Sequence, residues 1–370
     1  MGKTKQKRII VSVTSDLVSD NRVHKVCTTL ANMGFNVLLT GRRLPLSLPL
    51  LPRPYSTKRF SLVFKKGPFF YAEYNFRLFV FLLFSKADIL LANDLDTLPA
   101  NFIASKLKQK PLIYDSHEFF TEVPELIGRP RVKQIWEWLE RRMVPKLKFA
   151  YTVCESIAKI YNEKYGVPFR VVRNVPMAGT TSGKKENRKT EKMILYQGAV
   201  NVGRGLEQAI HAMHFVENAR LVIAGGGDIK THLEKLVETE NLSAKVIFTG
   251  RLPLEELVQL TPQADLGLSI EEDLGLNYRF ALPNKLFDYI QAQVPVLTTI
   301  LPEMAALVSR YQIGEITSSL EPAHLAKKIN EMLRDEIKRS VWKKNLEAAA
   351  RELTWDNEEK VLQELFSDLR

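Results

Sequence analysis

ILYQGAVNVGRGLEQAI, residues 194–210, reads as a buried strand, a loop carrying Gly198, Arg204 and Gly205, and the start of an amphipathic helix. A strand that runs through a glycine-bearing loop into a helix is half of a parallel βαβ unit. Glycines let the backbone approach a phosphate, the helix N-terminus favours an anion, and an arginine in the loop adds a forked donor. The equally simple reading is an ordinary strand–helix turn with a solvated arginine. Working outward, further strands are expected at 220–224, 245–249, 265–270 and 294–298, with 193–197 as the strand of the opening unit. Amphipathic helical stretches lie between them, at 205–217 and 229–240 among others. Before this set comes AGTTSGKKENRKTE (178–191), polar, small and charged, which reads as a linker.

Upstream of the linker the same alternation occurs once more, with strands expected at 9–13, 35–40, 88–92, 111–115, 150–154 and 170–173. Two such sets predict two doubly wound α/β domains in tandem, at 1–177 and 192–345, with a helical tail at 346–370 that crosses back to the first domain. The length of 370 residues suits two domains. Two cysteines, Cys27 and Cys154, exclude a disulfide scaffold or a cysteine-rich metal site. Residues 1–180 carry 29 Lys and Arg against 14 Asp and Glu, so the basic half is expected to meet something anionic. The most apolar stretch, FFYAEYNFRLFVFLLF (69–84), is shorter than the roughly 20 residues of a spanning helix and contains Glu73 and Arg77. It reads as a well-buried helix. A helix lying on an anionic membrane is the alternative, because Lys58, Arg59, Lys65, Lys66 and Lys86 flank it. The short apolar run at the N-terminus does not suit a signal peptide, and a cytoplasmic protein, peripheral on the inner membrane face, is expected.

In doubly wound sheets ligands bind beyond the carboxyl ends of the strands. The chemistry-bearing residues fall mostly there: Asp94 and Asp96 after 88–92, His117 and Glu118 after 111–115, and Asn174 after 170–173. In the second half these are Gly198 and Arg204, then Gly225-Gly226-Gly227-Asp228, then Glu272 and the run from Pro283. Asp228 is a plausible helix cap. Asp96 reads as a cap of a helix near Thr97. Asp20, Arg22 and His24 follow the first strand, with Ser19 or Asp20 as the cap of a helix over 22–33. No Gly-rich loop follows that strand, which counts against a dinucleotide site. Pro283-Asn284-Lys285-Leu286 opens a helix whose free N–H groups face an anion. Asp288 lies one turn on, suited to sugar hydroxyls, the plainer reading being a surface pair with Lys285. His117, flanked by Asp115 and Glu118, suits a hydroxyl contact or proton handling. No His or Cys spacing supports a metal.

These segments in this order resemble the retaining GT-B glycosyltransferases of family 4. The resemblance is carried by residues 194–210, LVIAGGGD (221–228), KVIFTGRLPLEEL (245–257), Glu272–Leu276 and LPNKLFDYIQAQVPVL (282–297). The first half adds NDLDTLPA (93–100), IYDSHE (113–118), TVCESIA (152–158) and VVRNVP (171–176). It implies two Rossmann-like domains facing across a cleft and a nucleotide-sugar donor held by the second. Donor contacts would come from Gly198, Arg204, Gly226, Asn284, Lys285, Leu286 and Asp288, with Asp288 on ribose hydroxyls. His117, Glu272 and Arg204 would stand at the reacting sugar. The first domain, with Asp20, Arg22, His24, Asp94, Glu118 and Asn174, would hold a glycan or lipid-linked acceptor of surface polysaccharide biosynthesis. Retention follows, with no metal or other cofactor expected. The chain departs from the family at four places, one being the missing Gly-rich loop after the first strand. Its usual Glu-x7-Glu is absent, since Phe280 stands eight before Asp288 and Glu272 sixteen before it. Ala199 occupies the place of a common arginine, and Arg204 stands where lysine is usual.

Two other readings compete. A sugar-nucleotide epimerase or hydrolase shares the architecture and would act on donor alone. A nucleic-acid-binding protein fits the pI of about 9.4, but no aromatic-interleaved basic motif or helix-turn-helix supports it, and no nucleic-acid partner is expected.

Overall fold

The computed structural model describes residues 6–18, 20–45, 47–126, 128–179 and 191–369. Most of the expected linker, and Ser19, lie outside the described residues. The chain divides into two compact units, Met1–Asn174 with Glu358–Arg370, and Val175–Asn357.

The first unit is built on a seven-stranded parallel sheet in the order β3-β2-β1-β4-β5-β6-β7. Its strands are β1 (Arg8–Asp16), β2 (Asn36–Arg43), β3 (Ser56–Ser61), β4 (Ile89–Asn93), β5 (Leu112–Ser116), β6 (Phe149–Thr152) and β7 (Phe169–Val171). The central strands are near-continuous apolar runs, as a sheet covered on both faces requires. Ile9, Ile10, Val11, Leu90, Leu91 and Ile113 are fully buried or nearly so. The helices are α1 (Asn21–Asn32), α2 (Pro68–Phe84), α3 (Asp94–Lys108), α4 (Pro130–Met143) and α5 (Glu155–Tyr165). Asp20 caps α1 by accepting from the Val23 N–H. Pro68 opens α2 after Gly67, whose φ of 77° is left-handed.

The second unit carries a six-stranded parallel sheet in the order β10-β9-β8-β11-β12-β13. Its strands are β8 (Lys192–Gln197), β9 (Ala219–Ala224), β10 (Val246–Gly250), β11 (Leu266–Ser269), β12 (Val296–Thr299) and β13 (Gly314–Thr317). Its helices are α6 (Leu206–Ala212), α7 (Lys230–Thr239), α8 (Leu254–Leu260), α9 (Leu276–Arg279), α10 (Asn284–Gln291), α11 (Pro302–Tyr311), α12 (Pro322–Arg334) and α13 (Glu336–Glu352). Two apolar clusters sandwich the sheet. One gathers Ile194, Leu206, Ile210, Leu221, Leu233 and Ile329, the other Leu195, Val222, Leu286, Phe287, Val296 and Leu346. A last helix, α14 (Trp355–Ser367), begins in the second unit and ends in the first. There Glu359 accepts from Thr29 Oγ1 at 2.6 Å, Arg170 pairs with Glu364 at 2.6 Å, and Phe366 meets Phe35 edge-on.

The sequence misses two strands. β3 is STKRFS, a largely exposed edge strand in which lysine and arginine keep the sheet edge soluble. β13 is GEIT, too short and polar to stand out. The helix expected over 205–217 stops at Ala212. Asp228 is not a cap: α7 starts from Ile229, and no side chain caps it. Asp96 is not a cap either, because α3 starts two residues earlier and the Asp96 carboxylate accepts from Thr14 Oγ1.

Gly205, at φ 69°, opens α6 with its backbone against β11, so a Cβ there would lie 2.3 Å from the Ile270 carbonyl oxygen. Gly250 has a similar φ of 72°, but a Cβ would meet nothing within 4 Å. Gly250→Ala should cost only the left-handed penalty, about 1–2 kcal/mol. Gly205→Ala adds a collision with backbone, and its thermal midpoint should fall clearly further. Equal midpoints in thermal denaturation would show that α6 and β11 do not approach so closely.

Candidate functional site

Each sheet has a switch point where the strand order reverses, β1/β4 in the first unit and β8/β11 in the second. In doubly wound sheets the loops leaving such strands diverge, and ligands bind there at the carboxyl edge.

At the second unit's switch point stands Glu271, just past β11 and without exposed surface. Its Oε1 lies 2.6 Å from Lys285 Nζ and 3.5 Å from Arg204 Nη1, and its Oε2 accepts from Ser269 Oγ at 2.9 Å. Burial pushes this carboxyl up, but the Lys285 ammonium and Arg204 overcome it and hold it below the usual carboxylate range. Lys285, in the first turn of α10, is itself buried, its ammonium 4.2 Å from the centre of the Tyr196 ring. The Arg204 guanidinium stacks over Tyr278 at 5.2 Å. Two cations thus share one carboxylate beside the N-terminus of α10, a net positive site.

α10 is held there by Tyr289. Its buried hydroxyl donates to the Leu195 carbonyl at 3.0 Å and accepts from the Gln197 N–H at 3.2 Å. Gln197, the last residue of β8, then donates to Asp288 Oδ2 at 2.9 Å and accepts from Thr261 Oγ1 at 2.8 Å. The Asp288 carboxylate is therefore aimed along the strand exit and is not paired with Lys285. The glycine loops after β8 and β9 are laced together: Gly198 N–H donates to Ala224 O at 3.0 Å and Val200 N–H to Gly226 O at 3.1 Å. Gly225 belongs to this packing, since a Cβ on it would strike the Gly198 carbonyl. Asn284 is exposed at the start of α10, and the Leu286 N–H is taken up by Pro283 O at 3.1 Å.

In the first unit the carboxyl edge carries an alternating chain of charge. Buried Arg22 binds Asp115 through two nitrogens, at 2.8 and 3.2 Å, and donates to Val172 O at 2.8 Å. Asp115 Oδ2 lies 3.0 Å from His117 Nε2, which also lies 3.1 Å from Asn93 Oδ1. His117 Nδ1 is 3.2 Å from Asp94 Oδ2, and the His117 N–H donates to Asp94 Oδ1 at 2.8 Å. Asp94 is held at φ 58°, left-handed for a non-glycine. Burial disfavours the His117 charge, yet Asp94 and Asp115 together push its pKa up to about 9. Against the same burial, Arg22 and His117 hold Asp115 down to about 2. Burial raises Asp94 to about 7 and Asp96 to about 6. Both ring nitrogens of His117 thus face carboxylates, which favours the imidazolium.

The structure therefore brings the expected Arg22, Asp94 and His117 together, adding Asn93 and Asp115. It also joins Arg204 to Lys285 through Glu271, and Asp288 to Gln197. Asp20 and His24 stand apart from the His117 chain: Asp20 caps α1 and accepts from Ser15, and His24 Nδ1 lies 2.7 Å from the Tyr55 hydroxyl. Glu118 and Asn174 are half-buried at their strand exits. Glu272 uses its N–H on Gly203 O at 2.9 Å and takes no part in the Lys285 cluster, which its neighbour Glu271 forms. Among the described residues no three His, Cys, Asp or Glu side chains are grouped to hold a metal ion.

Residues 20–176 match the family model described as Glycosyltransferase Family 4, and residues 179–348 that described as Glycosyl transferases group 1. Over 91 residues the chain is 37% identical to an uncharacterized glycosyltransferase of Methanocaldococcus jannaschii, a match that spans 23% of each protein. Among solved structures it resembles a sucrose-phosphate synthase from Thermosynechococcus elongatus, with a TM-score of 0.81 and 16% identity over 99% of both chains. It resembles Anabaena HepE in complex with UDP at TM-score 0.73 and 14% identity, over 98% of this chain and 100% of that one. WaaG, a glycosyltransferase involved in lipopolysaccharide biosynthesis, gives 0.72 and 14%, over 97% and 98%. These likenesses show the fold, which is GT-B.

His117 gains its proton affinity on folding, so its contribution is complete below pH 6.5 and is lost as pH rises through about 9. The stability of the wild type should fall by about 3 kcal/mol across that window. His117→Gln should be less stable at pH 6 and flatter above it. Parallel declines in denaturant melts of the two proteins would remove His117 from the ion chain.

Proposed function

The chain belongs to the group 1 glycosyltransferases of family 4, and from that premise we propose that it transfers a sugar from a nucleotide-diphosphate donor to a glycan or lipid-linked acceptor. The observation that carries this reading is the pair of cations, Lys285 and Arg204, sharing the single carboxylate of Glu271 at the α10 N-terminus. That excess charge suits a diphosphate, and Asp288, held by Gln197, suits ribose hydroxyls. HepE, of the same fold, is described in complex with UDP, which supports a nucleoside diphosphate in this unit. Arg204, Lys285 and the helix N-terminus would stabilise the charge that grows on the leaving diphosphate. The acceptor hydroxyl would bond to the anomeric carbon as the sugar–phosphate bond breaks. Its proton would pass to the leaving phosphate oxygen on the same face, which retains configuration. These cations supply the neutralising charge, so the reading requires no metal. In the first unit the His117 imidazolium would contribute charge and position rather than act as a base.

Two variants test the donor site. Arg204→Ala should lower turnover about 100- to 1000-fold, the usual cost of removing one such group. Asp288→Asn should weaken nucleoside diphosphate affinity in calorimetry while melting near the wild-type temperature. Unchanged turnover and affinity would overturn the assignment. Incubation with donor alone separates the alternative chemistry, since an epimerase converts the donor without an acceptor.

A membrane-bound acceptor agrees with α2. Only the stripe Phe70, Tyr74, Leu78 and Leu82 is buried, so the expectation of a well-buried helix is corrected: Phe69, Phe76 and Phe84 are exposed. No helix among the described residues is long and apolar enough to cross a membrane. Exposed aromatics beside Lys65, Lys66 and Lys86 suit attachment to an anionic surface. Sedimentation with anionic vesicles should fall with salt and fall further for Phe69→Ser/Phe76→Ser/Phe84→Ser. Vesicles that leave the wild type in the supernatant at low salt would point to a soluble acceptor.

A further inference from the structure

At the carboxyl ends of β2 and β3, away from both ion clusters, lies a cavity of about 330 Å³ whose wall includes Arg42, Arg43, Lys65, Phe64 and Phe70. Among the described residues no acidic side chain lines it. Among the described residues none of the three cations has a carboxylate within ion-pair distance, whereas the nearby acids are already engaged. Asp16 faces Arg59 at 3.8 Å, and Glu73 pairs with Arg77 at 2.8 Å while accepting the N–H groups of Val63 and Phe64. Asp96, the other acid near Arg42, accepts from Thr14 Oγ1. The Arg42 guanidinium stacks 4.8 Å over the Phe70 ring, its Nη1 reaches only the Lys65 carbonyl at 3.5 Å, and its buried Nε has no hydrogen-bond partner. A stacked arginine with an unused donor, held beside two further cations, has the geometry of a receptor for a forked anion. The cavity shares the carboxyl edge of the sheet with Asp94 and His117. It lies three strand spacings from them, on the order of 14 Å. Beside it the rings of Phe64 and Phe69 meet at 5.3 Å and are largely exposed.

We propose that this cavity binds the phosphate group of an amphiphilic acceptor, with Arg42, Arg43 and Lys65 on the phosphate and Phe64 and Phe69 against its apolar chain. This rests on the transferase reading above and names the acceptor's chemistry: a phosphate ester carried on a hydrocarbon chain.

The test is calorimetric titration with hexyl phosphate, inorganic phosphate and hexanol at about 0.15 M ionic strength, where long-range attraction is screened. The wild type should bind hexyl phosphate more tightly than inorganic phosphate and should not bind hexanol. Arg42→Gln/Lys65→Gln should weaken hexyl phosphate about ten- to a hundredfold, the worth of one or two charge-assisted bonds. Arg43→Gln, on an exposed side chain, should weaken it in the same direction without affecting folding. Absence of binding to the wild type, or equal binding to the variants, would overturn the proposal. Equal affinity for inorganic phosphate would overturn the amphiphilic part, leaving a free phosphate as ligand. Nucleoside diphosphate binding on the same samples keeps the two readings apart. Silence toward hexyl phosphate with nucleotide binding intact sinks the cavity alone, and the reverse sinks the donor site alone.

Discussion

The burial of one carboxylate organises the second unit's polar edge. Glu271 has no exposed surface, and a buried ion costs several kcal/mol unless its partners are well placed. Lys285 must therefore turn inward, which ties the first turn of α10 to the exit of β11. Tyr196 must lie beneath the ammonium, and Ser269 must satisfy the second oxygen. Arg204 completes the set at longer range while stacking on Tyr278, so its charge is only partly spent. The same fixed helix then delivers Asp288 to Gln197. One electrostatic requirement thus positions both the cations and the carboxylate of the donor site proposed above.

The first unit meets the same problem with a longer chain of charge. Arg22, Asp115, His117 and Asp94 alternate in sign, and each inner member touches an opposite charge on both sides. Such alternation keeps His117 protonated at a depth where an isolated imidazole would lose its proton. It also stabilises Asp94 in a backbone conformation that costs of order 1–3 kcal/mol for a non-glycine residue. What sets Asp94 apart from the left-handed helix-end residues Gln109 and Gln312 is that the His117 N–H and ring hold its carboxylate.

Much of this was legible in the order of residues. Continuous apolar runs mark the central parallel strands because both faces are covered, and the polar clusters between them fall at strand exits. β3 and β13 were not legible, since edge strands carry little apolar signal. The choice between Glu271 and Glu272 could not be read either. Adjacent residues leaving a strand face opposite sides, and only the register of β11 against β8 and β12 decides which turns inward. Gln197 and Tyr278 gave no sign of their own. Their roles come from strand order, which puts β8 beside β11 with Leu266 opposite Ile194. The ionisation of Asp115, which faces His117, depends on Arg22, nearly a hundred positions away, and no local pattern encodes that.

The departures from the family pattern become intelligible in these terms. A site that must offset a diphosphate needs a certain net charge, held rigidly and shielded from water, and the residue types can vary. Ala199 supplies none, but Lys285 is buried and pinned by Glu271, and Arg204 is stacked with a donor face still available. The buried carboxylate does not cancel the site: it neutralises one of two cations and, in doing so, removes their freedom to swing into solvent. A lone pair of exposed cations would be screened and mobile, worth little to a transition state. Fixing them with an internal counter-ion gives up half the formal charge and keeps the remainder preorganised, which in the donor site proposed above would be the part that lowers a barrier.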